Sequence, residues 1–292
     1  MEMIRYEGDV YRPPSEANSL IIQATVGCSG NTCAFCKMYK AKKFRMRPLA
    51  DVLEDLRRAR GWFGRIERIF IADGDALILP MDRWTAILAQ IRTLFPECRR
   101  VTCYATPRSV LLKTPEELRA LRAGGMAMAY VGLESGSDTV LRFMSKGNTA
   151  AEAVEAAEKL HAAGIAVSVT AINGLGGVEH FTEHAVETGR VLSAMRPEYI
   201  GLLTLMVEPA TPLADIVRRG AFTTLTAEEV LGEIRLILQN CDCPGSVFRA
   251  NHASNYLPLG GTLNEDRDRL IARIDAALAG KTGLRPDWLR AL

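Results

Sequence analysis

Three cysteines, Cys28, Cys33 and Cys36, fall within nine positions of the stretch VGCSGNTCAFCKMYKAKKFRMRP, residues 26–48. Seven cysteines in 292 residues are too few for a disulfide scaffold, so cysteines this close are read as ligands or nucleophiles. Three thiolates fill three corners of a tetrahedral site. A fourth ligand from Cys241, Cys243 or a distant histidine closes the set as structural zinc. With three alone, an iron–sulfur cube keeps one iron open to a substrate or cofactor. The spacing by itself leaves both metals standing. A basic run follows at once: Lys37, Lys40, Lys42, Lys43, Arg45 and Arg47. It is expected either to receive a phosphate-bearing substrate or an acidic electron donor, or to be solvated charge.

Such a loop needs a scaffold, and the flanking sequence describes one. Six runs read as strands: SLIIQATVG, ERIFIAD, RVTCYAT, AMAYVGLES, IAVSVTAING and EYIGLLTLMV. Each is rich in β-branched or aromatic residues and bounded by Gly, Pro or Asp. Between them lie helical patterns. PLADVLEDLRRARGWF puts Leu49, Val52, Leu53 and Leu56 on one face, and MDRWTAILAQIRTLF does the same with Trp84, Ile87, Leu88, Ile91 and Leu94. KTPEELRALRAGG enters on Thr-Pro and leaves on paired glycines. NTAAEAVEAAEKLHAAGI and HFTEHAVETGRVLSAM complete the set.

The alternation predicts an α/β fold of parallel strands with covering helices. Near-continuous apolar strands predict burial on both faces. Six βα units are too few for an eightfold barrel, which leaves a partial barrel or an open doubly wound sheet. Cys28 closes the first strand, so its loop lies on the carboxyl face, where barrel-like folds build their sites. From about Thr226 the chain reads as a helix, an irregular stretch CDCPGSVFRANHASNYLPLGG, and a final helix from roughly Asn264 to Leu278. The expected organisation is an N-terminal extension over 1–17, a core over 18–215 and a closing segment over 216–292.

Composition sets limits. A chain 48% hydrophobic and 24% charged is not largely disordered, and a net charge of +2 gives no argument for nucleic acid. The first residues lack the apolar core of a signal peptide, and no run approaches a membrane span. The cytoplasm, where thiols stay reduced, is the expected compartment.

GCSGNTCAFC at the end of a first strand, with Phe35 just before the last cysteine, resembles the cluster loop of radical S-adenosylmethionine enzymes. Within that superfamily the chain is most similar to the branch of oxygen-independent coproporphyrinogen oxidases and radical methylthiotransferases, over about residues 18–210. The commonest pattern has three residues between the first two cysteines; here there are four, Ser29 to Thr32. That departure bears on the subfamily more than on the superfamily. IADGDALILP sits where the family places a Gly-Glu type motif, which implies that Asp73, Gly74 and Asp75 receive the cofactor's amino group. Asp75 takes the acidic position, although Asp-Gly is also ordinary turn chemistry.

YVGLESGSDTVLRFMSKGNT resembles the family's fourth-strand segment, with Glu134 and Lys146 in the acidic and basic positions. The resemblance implies that Glu134 accepts the ribose hydroxyls and Lys146 pairs with the methionine carboxylate. The plainer alternative is a helix cap and a solvated lysine. SVTAINGLGG resembles the fifth-strand segment that contacts adenosine. Thr170 stands where relatives often carry Asp, which leaves Asn173 as the polar contact. Phe35 is expected against the adenine.

The resemblance implies a partial (β/α)6 barrel, one 4Fe–4S cluster and S-adenosylmethionine, cleaved reductively to methionine and a 5′-deoxyadenosyl radical. Flavodoxin or ferredoxin is the implied electron donor. The substrate is expected to be a small molecule rather than nucleic acid, since no RNA-binding module fits in the tail. That tail gathers Arg249, Asn251, His252, Ser254, Asn255 and Tyr256, from which Arg249, His252 and Tyr256 are the catalytic candidates. His180 and His184, four apart on one helix face, are expected as polar surface or substrate-access residues. Cys241 and Cys243, with Cys98 or Cys103, are a less favoured second metal centre. A porphyrinogen-type oxidase is the second enzymatic reading, and a zinc-stabilised binding protein the rival of another class.

Overall fold

The computed structural model describes residues 3–291, in two units. The first runs up to Asn31 and adds Cys36–Val131 and Glu158–Val167. The second takes Thr32–Phe35, Gly132–Ala157 and Ser168 onward.

In the first unit, β1 (Leu20–Gln23) is followed at once by β2 (Thr25–Val26), which pairs antiparallel with β3 (Arg45–Met46). The cysteine loop runs between β2 and β3. Then come α1 (Leu49–Trp62), β4 (Arg68–Ala72), α2 (Met81–Leu94), β5 (Arg100–Ala105), α3 (Pro107–Leu111), α4 (Pro115–Ala123) and β6 (Met126–Glu134), whose last three residues belong to the second unit. β1 pairs with β4, β4 with β5 and β5 with β6, all in parallel. Val52, Leu56 and Ala59 of α1 and Trp84, Ile87, Leu88 and Ile91 of α2 are buried, the stripe their spacing predicts. α4 begins on a capping box between Thr114 and Glu117. Phe70, Tyr104 and Tyr130 meet edge to face, with centroids 5.1 to 6.1 Å apart.

The second unit carries α5 (Asp138–Phe143), most of α6 (Ala150–Ala162) and of β7 (Ala166–Asn173), α7 (Phe181–Met195), β8 (Tyr199–Thr204) and α8 (Pro212–Arg218). It ends with α9 (Ala227–Gln239), β9 (Val247–Ala250), β10 (Leu259–Thr262) and α10 (Arg267–Leu278). β7, β8 and β9 are parallel neighbours, and β10 returns antiparallel to β9. Hydrogen-bonded neighbours follow the order β1-β4-β5-β6-β7-β8-β9-β10, so β1 and β10 are edges and the sheet does not close. Among the described residues no helix is long and apolar enough to cross a membrane.

Three expectations are corrected. The stretch read as irregular supplies β9 and β10, whose four-residue length and Arg249, Gly260 and Gly261 hide them from a β-branched pattern. The first run is not one strand but two: Ala24 N–H still donates to Ala72 O at 2.6 Å, but its carbonyl accepts from Arg47 N–H at 3.0 Å, and the chain beyond it pairs with β3. Cys28 therefore lies two residues beyond β2. Lastly, β7 and β8 are not buried on both faces: burial alternates along them. Apolar residues on the half-exposed face, Ile172 and Leu203, made the runs look continuous.

Candidate active site

The loop after β2 is turned and anchored in the first unit. Gly27 has φ +79°, a conformation that glycine adopts without steric cost. Its N–H donates to Asp73 Oδ2 at 3.0 Å, and its carbonyl accepts from Gly74 N–H at 3.1 Å. Asp73 is fully buried, accepts from Gln23 Nε2 at 3.2 Å and pairs with Lys42 Nζ at 2.8 Å. At Gly74 an added Cβ would fall 2.6 Å from the Tyr39 ring and 2.8 Å from Cys28 Cβ, so only glycine brings this backbone against Cys28. Asp75 is also fully buried. Its carboxylate accepts from the Ser29 hydroxyl and, at 3.1 Å each, from Thr106 N–H and Oγ1. Burial pushes its pKa up, and these donors pull it back. The side chain of Asp75 thus fastens the cysteine loop to the end of β5, which leaves the backbone of Gly74 beside the first cysteine.

Most of the basic run is bonded within its own unit. Lys40 donates to Asn31 O at 2.9 Å, and Lys42 holds Asp73. Arg45 pairs with Glu7, and Arg47, buried, pairs with Asp55 at 2.7 Å and donates to Gln23 O at 2.6 Å. Four of the six charges fasten the loop to its own unit; Lys37 and Lys43 are exposed. Asn31 closes the loop by donating to Tyr39 O at 2.8 Å and Lys42 O at 3.2 Å.

Thr32–Phe35 pack in the second unit. Ala34 N–H donates to Met144 O at 2.8 Å, its carbonyl accepts from Leu213 N–H at 3.0 Å, and Thr32 Oγ1 donates to Ser145 O at 2.8 Å. Phe35, half-buried, lies against an apolar cluster that includes Met144, Leu175 and Leu213, which Leu205 and Val207 also cover. All three cysteines are half-exposed and none forms a disulfide. Among the described residues no three His, Cys, Asp or Glu side chains are placed to hold a single metal ion.

Glu134 ends β6 with φ +64°, a left-handed conformation that is strained for any residue but glycine, Asn or Asp. Its Oε1 is 2.9 Å from Lys146 Nζ, and the two side chains are only 12% and 11% exposed. Gly132 makes room for them: a Cβ there would lie 2.2 Å from Glu134 Oε1 and 2.9 Å from Lys146 Nζ. The cap of α5 is Ser137, which accepts from Val140 N–H at 3.2 Å. Glu134 is therefore no helix cap, and Lys146 is not solvated. At the end of β7, Asn173 is fully buried with neither amide atom partnered. An unsatisfied buried amide costs about 1–3 kcal/mol, so it is an uncommon feature to keep without a use.

His184 corrects another expectation, for it is fully buried. Its Nδ1 lies 2.7 Å from Ser135 Oγ and its Nε2 3.1 Å from Ile172 O, so Nε2 carries the proton and the serine donates to Nδ1. Glu233 Oε2 is 3.8 Å from Nε2 and accepts from Gly174 N–H. The network thus grips the residue after Glu134 and both neighbours of Asn173. Glu233 and Ser135 escaped the sequence reading because their partners are distant in the chain. His180 stands just before α7 without capping it by its side chain; its Nδ1 is 3.3 Å from Glu183, and it is half-exposed.

Burial pushes Glu233 up to about 8 and His184 down to about 4. Between about pH 6.5 and 8 the folded chain keeps a proton on Glu233 that the unfolded chain has released, so stability falls as pH rises. Between about 4.5 and 6.5 the unfolded chain takes up a proton that His184 refuses, and the two effects cancel. Glu233 is expected to cost on the order of 2 kcal/mol between pH 6.5 and 8, and Glu233→Gln to remove that slope. Urea midpoints of both proteins at pH 6.5 and 8 read it. Equal slopes would mean that Glu233 is ionised in the fold.

The tail residues are mostly bonded inside the second unit. Ser254 Oγ accepts from Thr204 N–H at 3.1 Å; Asn255 accepts from Thr204 Oγ1 at 2.9 Å and donates to Leu202 O at 2.9 Å. Tyr256 is buried, donates to Asp287 Oδ1 at 2.8 Å, and lies under Arg290, 4.0 Å from the ring centroid. His252, half-buried, has its Nδ1 3.0 Å from Ser254 Oγ, and burial and Arg285 push its pKa down. Arg249 is exposed on β9. Cys241 and Cys243 are buried with their sulfurs 3.3 Å apart.

A family model described as the Radical SAM superfamily matches residues 22–188. The chain belongs to the radical SAM superfamily. The match spans Cys28, Cys33, Cys36, Glu134, Lys146 and Asn173 and ends within α7, before the tail. Members of this superfamily are enzymes, and membership brings the two cofactors expected from the sequence, a 4Fe–4S cluster and S-adenosylmethionine. Solved radical SAM structures are similar in fold. The methyltransferase TsrM from Kitasatospora setae, with tryptophan substrate and a SAM analogue bound, aligns at a TM-score of 0.57 and 21% identity, over 70% of this chain and 40% of that one. Coproporphyrinogen III oxidase HemN from Escherichia coli gives 0.57 and 16%, over 76% and 50%. Methylornithine synthase PylB gives 0.54 and 15%, over 91% and 83%. The chain thus spans half or less of the first two, and likeness at these identities speaks for the fold: α/β, with parallel strands in an unclosed, partial barrel. No curated protein matches the sequence.

Proposed function

We propose that this chain is a radical SAM enzyme in which Cys28, Cys33 and Cys36 hold the 4Fe–4S cluster and S-adenosylmethionine binds beside them. The chemistry these cofactors supply is reductive cleavage to methionine and a 5′-deoxyadenosyl radical, which takes a hydrogen atom from the substrate. The protein's part is to bind, orient and keep water out. The backbone of Gly74, which lies against Cys28 because it carries no side chain, receives the amino group. Lys146 turns from Glu134 to the methionine carboxylate, and Glu134 then accepts the ribose hydroxyls. Asn173 offers its unpartnered amide to the adenosine, and Phe35 with Leu205 and Val207 gives an apolar wall for the adenine. Flavodoxin or ferredoxin in the cytoplasm supplies the electron, and the substrate is a small molecule.

One observation carries this reading: Glu134 and Lys146, nearly buried, held by a left-handed strand end above a glycine. A merely structural ion pair needs neither the strained glutamate nor the missing side chain at 132. Lys146→Met is expected to raise the KM for S-adenosylmethionine about 10- to 100-fold, the loss of one charge-assisted bond, with a smaller effect on kcat. An unchanged KM would assign the pair to structure alone.

The reading is tested by anaerobic reconstitution with iron and sulfide, then addition of S-adenosylmethionine and dithionite. A brown protein that forms 5′-deoxyadenosine supports it. A colourless protein that retains zinc and forms none overturns it in favour of a zinc-stabilised binding protein.

A further inference from the structure

A row of residues crosses the sheet of the second unit in register: Thr170 on β7, Gly201 on β8, Arg249 on β9 and Gly260 on β10. Direct cross-strand partners share a face. On β7 and β8 this is the half-exposed face, the one that carries Ile172, which packs on the same apolar cluster as Phe35. Arg249 is thus flanked on both sides by glycine. Above Gly201 the space is open, for a Cβ there would meet nothing nearer than Val169 O at 3.8 Å. At Gly260 the missing side chain lets the stem of Arg249 lie across β10, 3.4 Å from where a Cβ would sit.

Arg249 is also oriented in advance. Its Nη1 donates to Phe248 O at 2.8 Å and Gly261 O at 3.2 Å, which fixes the guanidinium plane. Its other nitrogens donate to nothing among the described residues. The arginine borders an open cavity of about 400 Å³ that Asn251 and Arg273 also line, with no carboxylate in the wall. Arg273, on α10, is exposed and has no ion pair among the described residues. Asp266, on the turn before α10, is already bonded to Thr262 N–H and Arg269.

One unpaired surface arginine is ordinary. Two arginines and an amide around a cavity floored by glycine, one guanidinium pinned by backbone carbonyls, form a cationic, donor-rich site, and its complement is an oxyanion. We propose that this cavity binds the carboxylate or phosphate group of the substrate. The word substrate rests on the radical SAM reading; anion binding itself does not.

The test is calorimetric titration of the anaerobically purified full chain with sodium phosphate and, separately, sodium succinate. Sodium chloride of matched ionic strength is the control. Saturable one-to-one binding of phosphate or succinate is expected, and whichever binds more tightly names the group. Arg249→Gln and Arg273→Gln should each weaken it tenfold or more, and the double variant should abolish it. Circular dichroism and melting confirm that Arg273→Gln, at an exposed helical position, is folded. Absence of saturable binding by either anion, or equal binding in folded variants, overturns the proposal. Assay of 5′-deoxyadenosine in the same wild-type preparation keeps the two readings apart. Cleavage without anion binding sinks this inference alone, and anion binding without cleavage sinks the enzymatic reading while the anion site stands.

Discussion

Single replacement of Cys28, Cys33 or Cys36 by alanine is expected to reduce 5′-deoxyadenosine formation to the reagent background and leave the fold intact. Three ligands are the minimum that holds a cube with one open iron, so no partial activity remains when one thiolate is lost. The fold survives because the loop is fastened by other groups. Asp73 takes Gly27 N–H and Lys42, Asp75 takes Ser29, and Asn31 takes two loop carbonyls. The thiols are half-exposed and lie outside the apolar core. Iron content, the visible absorbance of the cluster and far-ultraviolet circular dichroism separate the two effects. Loss of secondary structure together with the metal would make the triplet a structural centre, and the zinc reading would return.

Asp73→Ala is expected to destabilise the first unit strongly, by about 3–5 kcal/mol. It removes the carboxylate partner of Lys42, whose side chain is only 11% exposed, strands the N–H of Gly27 and takes one acceptor from the amide of Gln23. Asp73→Asn keeps the shape and an acceptor, and so should cost less, about 1–3 kcal/mol for a weakened hydrogen-bond set. The denaturant midpoint of the anaerobic protein measures both. Cluster retention should fall in Asp73→Ala even though all three cysteines remain. A wild-type midpoint would show that Lys42 reaches solvent when its partner is gone and that the loop is fastened elsewhere.

These two variants mark how far the sequence could be read. The cysteines, Glu134 and Lys146 stand in stretches whose residue order carries the signal, and the βα alternation places the cysteine loop and Glu134 at strand ends. Strands and helices were legible where one period dominated, as in α2 with Trp84, Ile87, Leu88 and Ile91. The rest depends on contacts between residues remote in the chain. Nothing near Lys42 or Arg47 announces Asp73 or Asp55 as its partner, so a fastening device looked like free charge. His184 looked superficial because Ser135 and Glu233, which bury and hold it, lie far to either side. Strands β9 and β10 were hidden by the arginine and glycines that give the second unit its arginine-lined cavity. Where function asks for a polar or missing side chain within a strand, the apolar pattern is broken.

The paired loop has a consequence for its electrostatic reach. Lys42, Arg45 and Arg47 face Asp73, Glu7 and Asp55 at contact distance, so each cation and its acid form a short dipole. Dipole fields decay faster than those of separate charges, and beyond a Debye length of about 8 Å in physiological salt little remains. Half of the six cations in the sequence's densest run of lysine and arginine are therefore nearly dark at a distance, and Lys37 and Lys43, both exposed, carry more of its outward field. The loop's attraction for an acidic surface is thus weaker than a count of its six cations suggests.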